Sequence, residues 1–174
     1  MAVLKVLRYG DPALRRRAVP VGEVTPEVRA TIADMTETMY DEVGIGLAAP
    51  QVGIALRLIV VADEDGRSVQ ALLNPAIVDR GGEATGEEGC LSIPGVFAPV
   101  TRSAWVKIEA QDVNGSPLAI RATGLRARVL QHEIDHLDGV LFIDRVDPVT
   151  RDRIKRKIKK EGLREDASRH AFAL

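Results

Sequence analysis

The segment His132-Glu133-Ile134-Asp135-His136 has the residue types and the spacing of a catalytic metal site. Two histidines four positions apart lie on the same face of a helix, so both imidazoles can bind one ion. Glu133 is rotated by about 100° from His132 around such a helix. Its carboxylate can therefore lie beside the metal and take a proton from a water molecule bound there. The segment predicts a metal-dependent hydrolase.

A third ligand must come from another part of the chain, because a catalytic metal site usually keeps three protein ligands and one open position. The long zinc-protease pattern would need a histidine where this sequence has Phe142. Glu161 and Glu165 lie in or beyond a highly charged terminal segment and are poor candidates for a buried ligand. Cys90, the only cysteine, follows a glycine and precedes a Pro-Gly turn. A thiolate with two imidazoles suits zinc or ferrous iron better than magnesium or calcium.

Simpler interpretations of the same residues remain open at this point. A lone cysteine is often a small buried hydrophobe, and the two histidines could lie on the surface of a helix. Ile134 and Leu137 favour a partly buried helix instead. Residues 44–53, with three glycines, could let the backbone approach a ligand closely, with Gln51 as hydrogen-bond donor. Taken alone, they are more simply a tight connection between a helix and a strand.

The elements that must position these residues include three predicted helices. Thr25 followed by Pro26 is typical of a helix start, and apolar residues recur at helical spacing until a glycine at position 44. The helix that carries the histidines is predicted from Thr123, as its cap, to about position 138, before a glycine. A last helix is predicted from Asp147-Pro148 to about Lys160.

Strands are predicted between the first two helices. Apolar or alternating runs occur at 56–61, 71–73, 76–78, 106–110 and 118–122. Asn114-Gly115 indicates a tight turn between the last two runs. Strands followed by a central helix and a terminal helix predict an α+β domain, with antiparallel strands packed around the metal-binding helix and a C-terminal helix. We expect residues 1–148 to form the catalytic part and 149–174 a basic helix and tail of the same domain.

Length and composition limit the class of protein. The chain has 174 residues, 45% of them hydrophobic and 28% charged, which fits one globular domain. No apolar stretch approaches the roughly 20 residues needed to cross a bilayer. A single cysteine excludes an intrachain disulfide, and the first residues do not resemble a signal peptide, so we expect the reducing cytoplasm. The net charge of −1 indicates neither a membrane nor a DNA partner.

Three segments together resemble the peptide deformylase family. They are Gly-Ile-Gly-Leu-Ala-Ala-Pro-Gln at 44–51, Glu-Gly-Cys-Leu-Ser at 88–92 and Gln-His-Glu-Ile-Asp-His at 131–136. They occur in the family's order and at suitable spacing. The similarity extends from Leu7 to Arg145 and therefore covers most of the chain.

The resemblance implies removal of the formyl group from the N-terminal methionine of newly made bacterial proteins, with release of formate. It implies one divalent metal ion, typically ferrous iron, replaceable by nickel, cobalt or zinc. The implied metal ligands are Cys90, His132 and His136. Glu133 would act as general base and then acid while a metal-bound hydroxide attacks the formyl carbon. Gln51 and the backbone N–H of Leu91 would stabilise the oxyanion.

The expected substrate is the N-formyl-methionyl end of a nascent chain. Gly46 and Gly89 would let the backbone approach the acyl carbon closely, which leaves little room for the extra methyl of an acetyl group. Ile45, Leu125 and Val129 would line an apolar slot for the methionine side chain. These five residues are the predicted substrate contacts.

Two residues depart from the family pattern, and a third has two interpretations. Arg126 occupies a position that is often bulky and apolar in relatives. Phe97 replaces an arginine that in some relatives contacts the peptide backbone. Arg128, one turn before His132, could border the substrate groove or could be a solvated or salt-bridged side chain.

The segment 151–160 contains seven basic residues and one acidic residue. Ile154 and Ile158 are four positions apart, so one apolar stripe would face the protein and a basic face would point outward. A solvated helix is the simple interpretation. The resemblance suggests docking on ribosomal RNA near the exit tunnel. His170 has no expected role.

Two other functions compete with the deformylase interpretation. A small metallopeptidase would use the same ion and base on an internal peptide bond, but it would need a third ligand other than Cys90. A non-catalytic metal-binding or ribosome-binding module belongs to a different class of protein. Glu133 argues against it, because a structural site is usually closed by a fourth ligand and needs no base.

Overall fold

The structure is a computed structural model, and it describes residues 2–164. The helices of this part of the chain are α1 (Pro26–Asp41), α2 (Gly124–Leu137) and α3 (Pro148–Glu161). Its strands are β1 (Gly46–Ala48), β2 (Leu58–Ala62), β3 (Val69–Gly81), β4 (Ala84–Cys90), β5 (Ile93–Arg102), β6 (Trp105–Gln111) and β7 (Pro117–Thr123). None of the helices in this range is both long and apolar enough to cross a membrane.

Five strands form one antiparallel sheet in the order β1-β2-β3-β6-β7. One face of this sheet, which includes Leu72 and Ile108, packs against α2 through Leu130 and Leu137. All four of these side chains are fully buried. The prediction of an α+β fold with antiparallel strands around the metal-binding helix is confirmed.

The opposite face of the sheet packs against α1. Met35 and Met39 of this helix lie in one apolar cluster with Leu58 and Val60 of β2. Ile59, between them, belongs to the cluster on the α2 side. Because β2 is covered on both faces, it needs apolar residues at every position, and this explains the unbroken apolar run in the sequence.

The remaining strands, β4 and β5, pair with each other as an antiparallel hairpin outside the five-stranded sheet of the described chain. A third apolar cluster joins this hairpin, through Ile93 and Val100, to Phe142 and to Ile154 of α3. The last helix therefore packs on the hairpin. The tail predicted after it, from residue 165 onward and including His170, lies outside the described residues.

The two strand segments predicted at 71–73 and 76–78 are wrong as separate strands, because they form the single strand β3. The register shifts between Leu73 and Ala76, and Asn74 adopts a left-handed conformation with φ 52°. Its side chain accepts a hydrogen bond from Val21 N at 2.7 Å and donates one to Val21 O at 2.9 Å. This irregularity in the strand leaves β3 continuous. The side-chain bonds of Asn74 connect the N-terminal segment to the sheet.

The β4–β5 hairpin was not predicted, because glycines and glutamates in the first strand hide any alternation of apolar residues. Residues 46–48 form the edge strand β1, paired with β2, and are more than a tight connection. A short 3-10 turn at Ala49–Val52 follows. Strand β1 and this turn both border the candidate site. The elements that were hardest to predict from the sequence therefore carry part of its chemistry.

Candidate metal centre

The helix α2 and the end of β4 bring three possible metal ligands together. Ligand atoms of Cys90, His132 and His136 all lie within 4.8 Å of one another. The Cys90 Sγ atom is 3.5 Å from His136 Nε2, and the two imidazole centroids are 5.0 Å apart. Each of the three residues is at most 2% exposed. The arrangement can hold one metal ion inside the protein.

Local sequence explains how these residues reach one point. In α2, His132 and His136 are one turn apart and face the hairpin, while the apolar residues of the helix face the sheet. The strand β4 ends at Cys90, which pairs with Ile93 across the tight turn into β5. Thr123 occupies the cap position of α2, but its side chain makes no capping hydrogen bond, so that part of the prediction is wrong.

Glu88 is a buried carboxylate that the sequence analysis did not select. Its Oε1 lies 2.9 Å from His132 Nδ1. Burial by itself raises the pKa of Glu88, but hydrogen bonds and charges from His132 and Arg102 outweigh it and lower the pKa to about 2. An ionised carboxylate only accepts, so Nδ1 carries a proton, and loss of the other proton from the imidazole leaves Nε2 the lone pair that can bind a metal. The signal in the sequence was its place at the start of the Glu-Gly-Cys-Leu-Ser segment, two residues before Cys90.

A chain of ion pairs continues from Glu88 to the surface. Arg102 donates to Glu88 from Nε at 2.6 Å and from Nη2 at 2.9 Å, and to Asp135 from Nη1 at 3.0 Å. Arg145 donates two hydrogen bonds to the same Asp135 at 2.9 and 3.0 Å. Because Asp135 lies between the two histidines of α2, this chain braces the metal-binding turn from its outer side.

Glu133 is fully buried, and neither of its carboxylate oxygens has a hydrogen-bond partner among the described residues. Its Oε1 is 4.0 Å from His136 Nε2. Burial raises the pKa of Glu133, the charges of His132 and Arg102 partly oppose this, and the result is a pKa of about 7. A carboxyl group with a pKa near neutrality can both accept and return a proton.

Gln51 and Leu91, the predicted oxyanion donors, both lie next to Cys90. Gln51 Nε2 donates to Ser92 Oγ at 3.1 Å and contacts Cys90 Sγ at 3.6 Å. Its Oε1 accepts from the backbone N–H of Ala48 at 3.0 Å, which fixes the orientation of the amide. Leu91 follows Cys90 in the turn of the hairpin and is fully buried. The oxyanion role of both residues stays a prediction.

Three of the predicted substrate residues, Ile45, Leu125 and Val129, line one cavity of about 410 Å³. Leu125 is 64% exposed and Val129 only 4%, and Asp63, Glu64 and Arg126 also line the cavity. The two predicted glycines have close neighbours. A Cβ at Gly46 would lie 2.6 Å from Glu133 Oε2, and a Cβ at Gly89 would lie 2.5 Å from the ring of Phe97.

Arg128 was expected either to border the substrate groove or to be solvated or salt-bridged, and in the structure it forms an ion pair. Its Nη1 donates to Glu88 Oε2 at 2.6 Å. Arg126, two residues earlier, donates from Nη2 to Gln70 at 2.8 Å. Phe97 packs its ring against the position of Gly89.

The residues present fit a divalent metal ion. His132 Nε2 and both carboxylate oxygens of Glu133 are buried and have no hydrogen-bond partner in the described part of the chain. Buried polar atoms are nearly always paired, so unpaired atoms on and beside the three gathered ligand residues are what a metal site requires. One thiol and two imidazoles form a donor set suited to iron or zinc, and three ligands leave a position for water or substrate.

Comparison with known proteins agrees with this chemistry. The family model described as polypeptide deformylase matches residues 3–152. The chain is 50% identical over 162 residues to the peptide deformylase of Alkalilimnicola ehrlichii, covering 92% of this chain and 91% of that protein. It is 46% identical over 161 residues to a peptide deformylase of Neisseria meningitidis, with coverages of 92% and 96%.

Solved structures give the same result. A peptide deformylase from Legionella pneumophila matches with a TM-score of 0.86 at 44% identity, over 91% of this chain and 95% of that one. The peptide deformylase from Ehrlichia chaffeensis in complex with actinonin matches with a TM-score of 0.85 at 36% identity, over 92% and 99%. Sequence, fold and buried ligand group agree over nearly the whole length, and the chain belongs to the polypeptide deformylase family.

Proposed function

We propose that this protein removes the formyl group from the N-terminal formyl-methionine of newly synthesised proteins and releases formate. The observation that carries the proposal is the buried group of Cys90, His132 and His136 with Glu133 beside it, in a deformylase chain. A bound divalent ion would polarise the formyl carbonyl and make a water nucleophile available near neutral pH. The remaining steps depend on side chains of this protein.

Glu133 is the residue that moves the proton. Its carboxylate is buried beside His136 with no hydrogen-bond partner among the described residues, so it is placed to take a proton from the attacking water. The same proton then passes to the nitrogen of the methionine, which leaves as an amine when the bond to the formyl carbon breaks. One residue therefore serves first as base and then as acid.

Gln51 and the backbone N–H of Leu91 would donate hydrogen bonds to the formyl oxygen as it gains negative charge. Of the two contacts of Gln51 Nε2, the one to Cys90 Sγ at 3.6 Å is longer than the one to Ser92 Oγ at 3.1 Å. The longer contact is the one that substrate would replace. Removal of one donor of this kind typically lowers turnover by about 10²–10³.

Ferrous iron is the proposed metal, with zinc, nickel and cobalt as replacements. The soft thiol of Cys90 together with two imidazoles favours these ions over magnesium or calcium. Metal analysis of protein purified without oxygen tests this. Stoichiometric zinc with full turnover in such a preparation would contradict it.

The cavity lined by Ile45, Leu125 and Val129 is proposed to hold the methionine side chain. Methionine is unbranched and adapts to an irregular apolar space. Val129→Phe would fill part of this space, so kcat/KM for formyl-Met peptides should fall while the preference for formyl over acetyl stays nearly unchanged. Kinetics on formyl-Met, formyl-Val and acetyl-Met peptides measure both quantities. A change in the formyl-to-acetyl ratio alone would show that Val129 borders the acyl group instead.

Formate release from a formyl-Met-Ala peptide, with metal content measured on the same preparation, tests the function directly. We expect stoichiometric release with formyl-Met and little with acetyl-Met. Cleavage of an internal peptide bond would favour a metallopeptidase, and metal binding without turnover would favour a non-catalytic module.

The basic helix α3 is proposed to guide the enzyme to ribosomes, and this would place it in the cytoplasm. Six of its seven basic residues between 151 and 160 are exposed, whereas Ile154 is buried against the hairpin. On this proposal residues 1–148 contain the catalytic machinery and α3 serves as a docking element of the same domain. In the double variant Lys155→Glu, Lys159→Glu, less enzyme should sediment with ribosomes, and the salt dependence of this binding should weaken. Hydrolysis of a short peptide should stay unchanged. Unchanged sedimentation would contradict docking through this face.

A further inference from the structure

The side chain of Arg128 crosses from α2 to the β4–β5 hairpin and is 11% exposed. Its Nη1 donates to Glu88 Oε2 at 2.6 Å and to the carbonyl of Val100 at 2.9 Å. Its Nη2 donates to the carbonyl of Ala84 at 2.8 Å. A Cβ at Gly86 would lie 3.4 Å from three atoms of the guanidinium, so the group lies flat against the hairpin backbone.

The Glu88 carboxylate has no free acceptor position in this arrangement. Its Oε1 accepts from His132 Nδ1 and Arg102 Nη2, each at 2.9 Å. Its Oε2 accepts from Arg102 Nε and Arg128 Nη1, each at 2.6 Å. A carboxylate offers about four lone-pair positions, and Arg128 supplies the fourth donor. Arg102 cannot replace it, because its third nitrogen is bonded to Asp135.

We propose that Arg128 is a positioning residue of the metal centre, which acts through Glu88 to hold the His132 ring in its metal-binding orientation. The bond from Arg128 to Oε2 adds to the two-point contact of Arg102 and further restrains rotation of the carboxylate about its axis. Oε1 then stays aligned with His132 Nδ1, and Nε2 stays directed toward Cys90. This inference rests on the proposed metal-dependent function, and it gives a role to a residue whose side chain bonds to Glu88 and the hairpin backbone and to none of the three candidate ligands.

A purely structural role is the competing explanation, since the bonds to Val100 and Ala84 also tie α2 to the hairpin. The two explanations differ in what they affect. Loss of the backbone bonds lowers the melting temperature of the metal-free protein. Loss of the bond to Glu88 changes the release rate of the ion and the geometry of its ligands. Residues that support metal ligands without binding the metal typically affect metal affinity by about 10–100-fold.

The test compares Arg128→Met and Arg128→Lys with a matched control, Arg126→Met. Arg126 lies on the same helix, but it donates to Gln70 and not to Glu88. Each full-length protein is loaded with Co²⁺, its visible spectrum is recorded, and release of Co²⁺ to an excess of chelator is followed. Arg128→Met should release Co²⁺ about 10–100-fold faster than the parent, with an altered cobalt spectrum. Arg126→Met should keep the parent's spectrum and release rate.

Arg128→Lys should be intermediate, because an ammonium keeps the charge but cannot reproduce the planar fork of the guanidinium. It also decides the question if Arg128→Met does not fold. Release at the parent's rate from whichever Arg128 variants fold, with only a lowered melting temperature, would overturn the proposal. Formate release by the parent is measured in parallel. If the parent is inactive, the proposed function fails, while the cobalt comparison still tests the role of Arg128.

Discussion

Gly46→Ala should separate the function of the base from that of the metal. A Cβ at this position would lie 2.6 Å from Glu133 Oε2, 2.9 Å from Cγ and 3.0 Å from Cδ. Ordinary contact begins near 3.4 Å. The backbone of Gly46 cannot easily retreat, because it pairs with Val61 in the sheet. The carboxyl group must therefore move, and it is fully buried.

The required displacement of the Glu133 carboxylate is about 0.8 Å. A misplacement near 1 Å at a reacting group can lower the rate by about 10². We therefore expect kcat to fall by about 10² while KM changes little and the metal content stays stoichiometric. Steady-state kinetics on a formyl-Met peptide and metal analysis of the same sample provide these three values.

Gly22→Ala is the matched control, because a Cβ there meets no atom within 4 Å. It should leave kcat, KM and metal content at the values of the parent. If Gly46→Ala retained full kcat, the reasoning that Gly46 makes room for the base would be wrong. A rise in KM with unchanged kcat would instead indicate that Gly46 contacts substrate, as the sequence analysis expected.

Three further changes test other groups of the protein. Glu133→Ala should retain metal but lose at least about 10³ in turnover, because the base is not a ligand; loss of metal would contradict this. Cys90→Ser should lower metal retention while circular dichroism stays native, and absence of a sulfur–metal distance in X-ray absorption of the parent would refute the ligand role. Although burial would raise the pKa of Asp144, the hydrogen bond from Arg15 lowers it. This depressed pKa stabilises the fold above about pH 4, and the contribution is lost as the pH falls through the folded-state pKa. The difference in melting temperature between the parent and Asp144→Asn should therefore shrink below pH 4, and a constant difference would contradict the ion pair.

Local patterns were sufficient to predict the centre of the site. The spacing of His132 and His136 follows from helix geometry alone, and the lone cysteine had no convincing rival as the third ligand. The cap of α3 at Asp147 was visible for the same reason, since its carboxylate accepts from Thr150 N at 2.9 Å. Signals of this kind depend on residues within a few positions of one another.

Contacts between distant segments could not be predicted in this way. Glu88 and Arg102 are bonded because β4 and β5 fold back as a hairpin, and Arg128 meets Glu88 only because α2 packs beside it. The sequence presents these residues as ordinary surface charges. Asn74 and the proline after it separate the two predicted strand segments, yet the left-handed conformation and side-chain bonds of Asn74 keep β3 continuous.

The hairpin β4–β5 carries one of the three candidate ligands and α2 the other two, yet within the described chain the hairpin has no ladder to the five-stranded sheet. An ion bound to both Cys90 and His132 closes a loop of about 40 residues. A covalent cross-link over such a loop would remove chain entropy equivalent to about 4 kcal/mol at 25 °C. The ion would thus act as a removable cross-link, and closure of the hairpin onto α2 would be coupled to metal loading. Without the ion, the hairpin and α2 would still be joined by side-chain bonds such as Glu88–His132, Arg102–Asp135 and Arg128–Glu88, and the apolar cluster with Phe142 would hold the hairpin to α3.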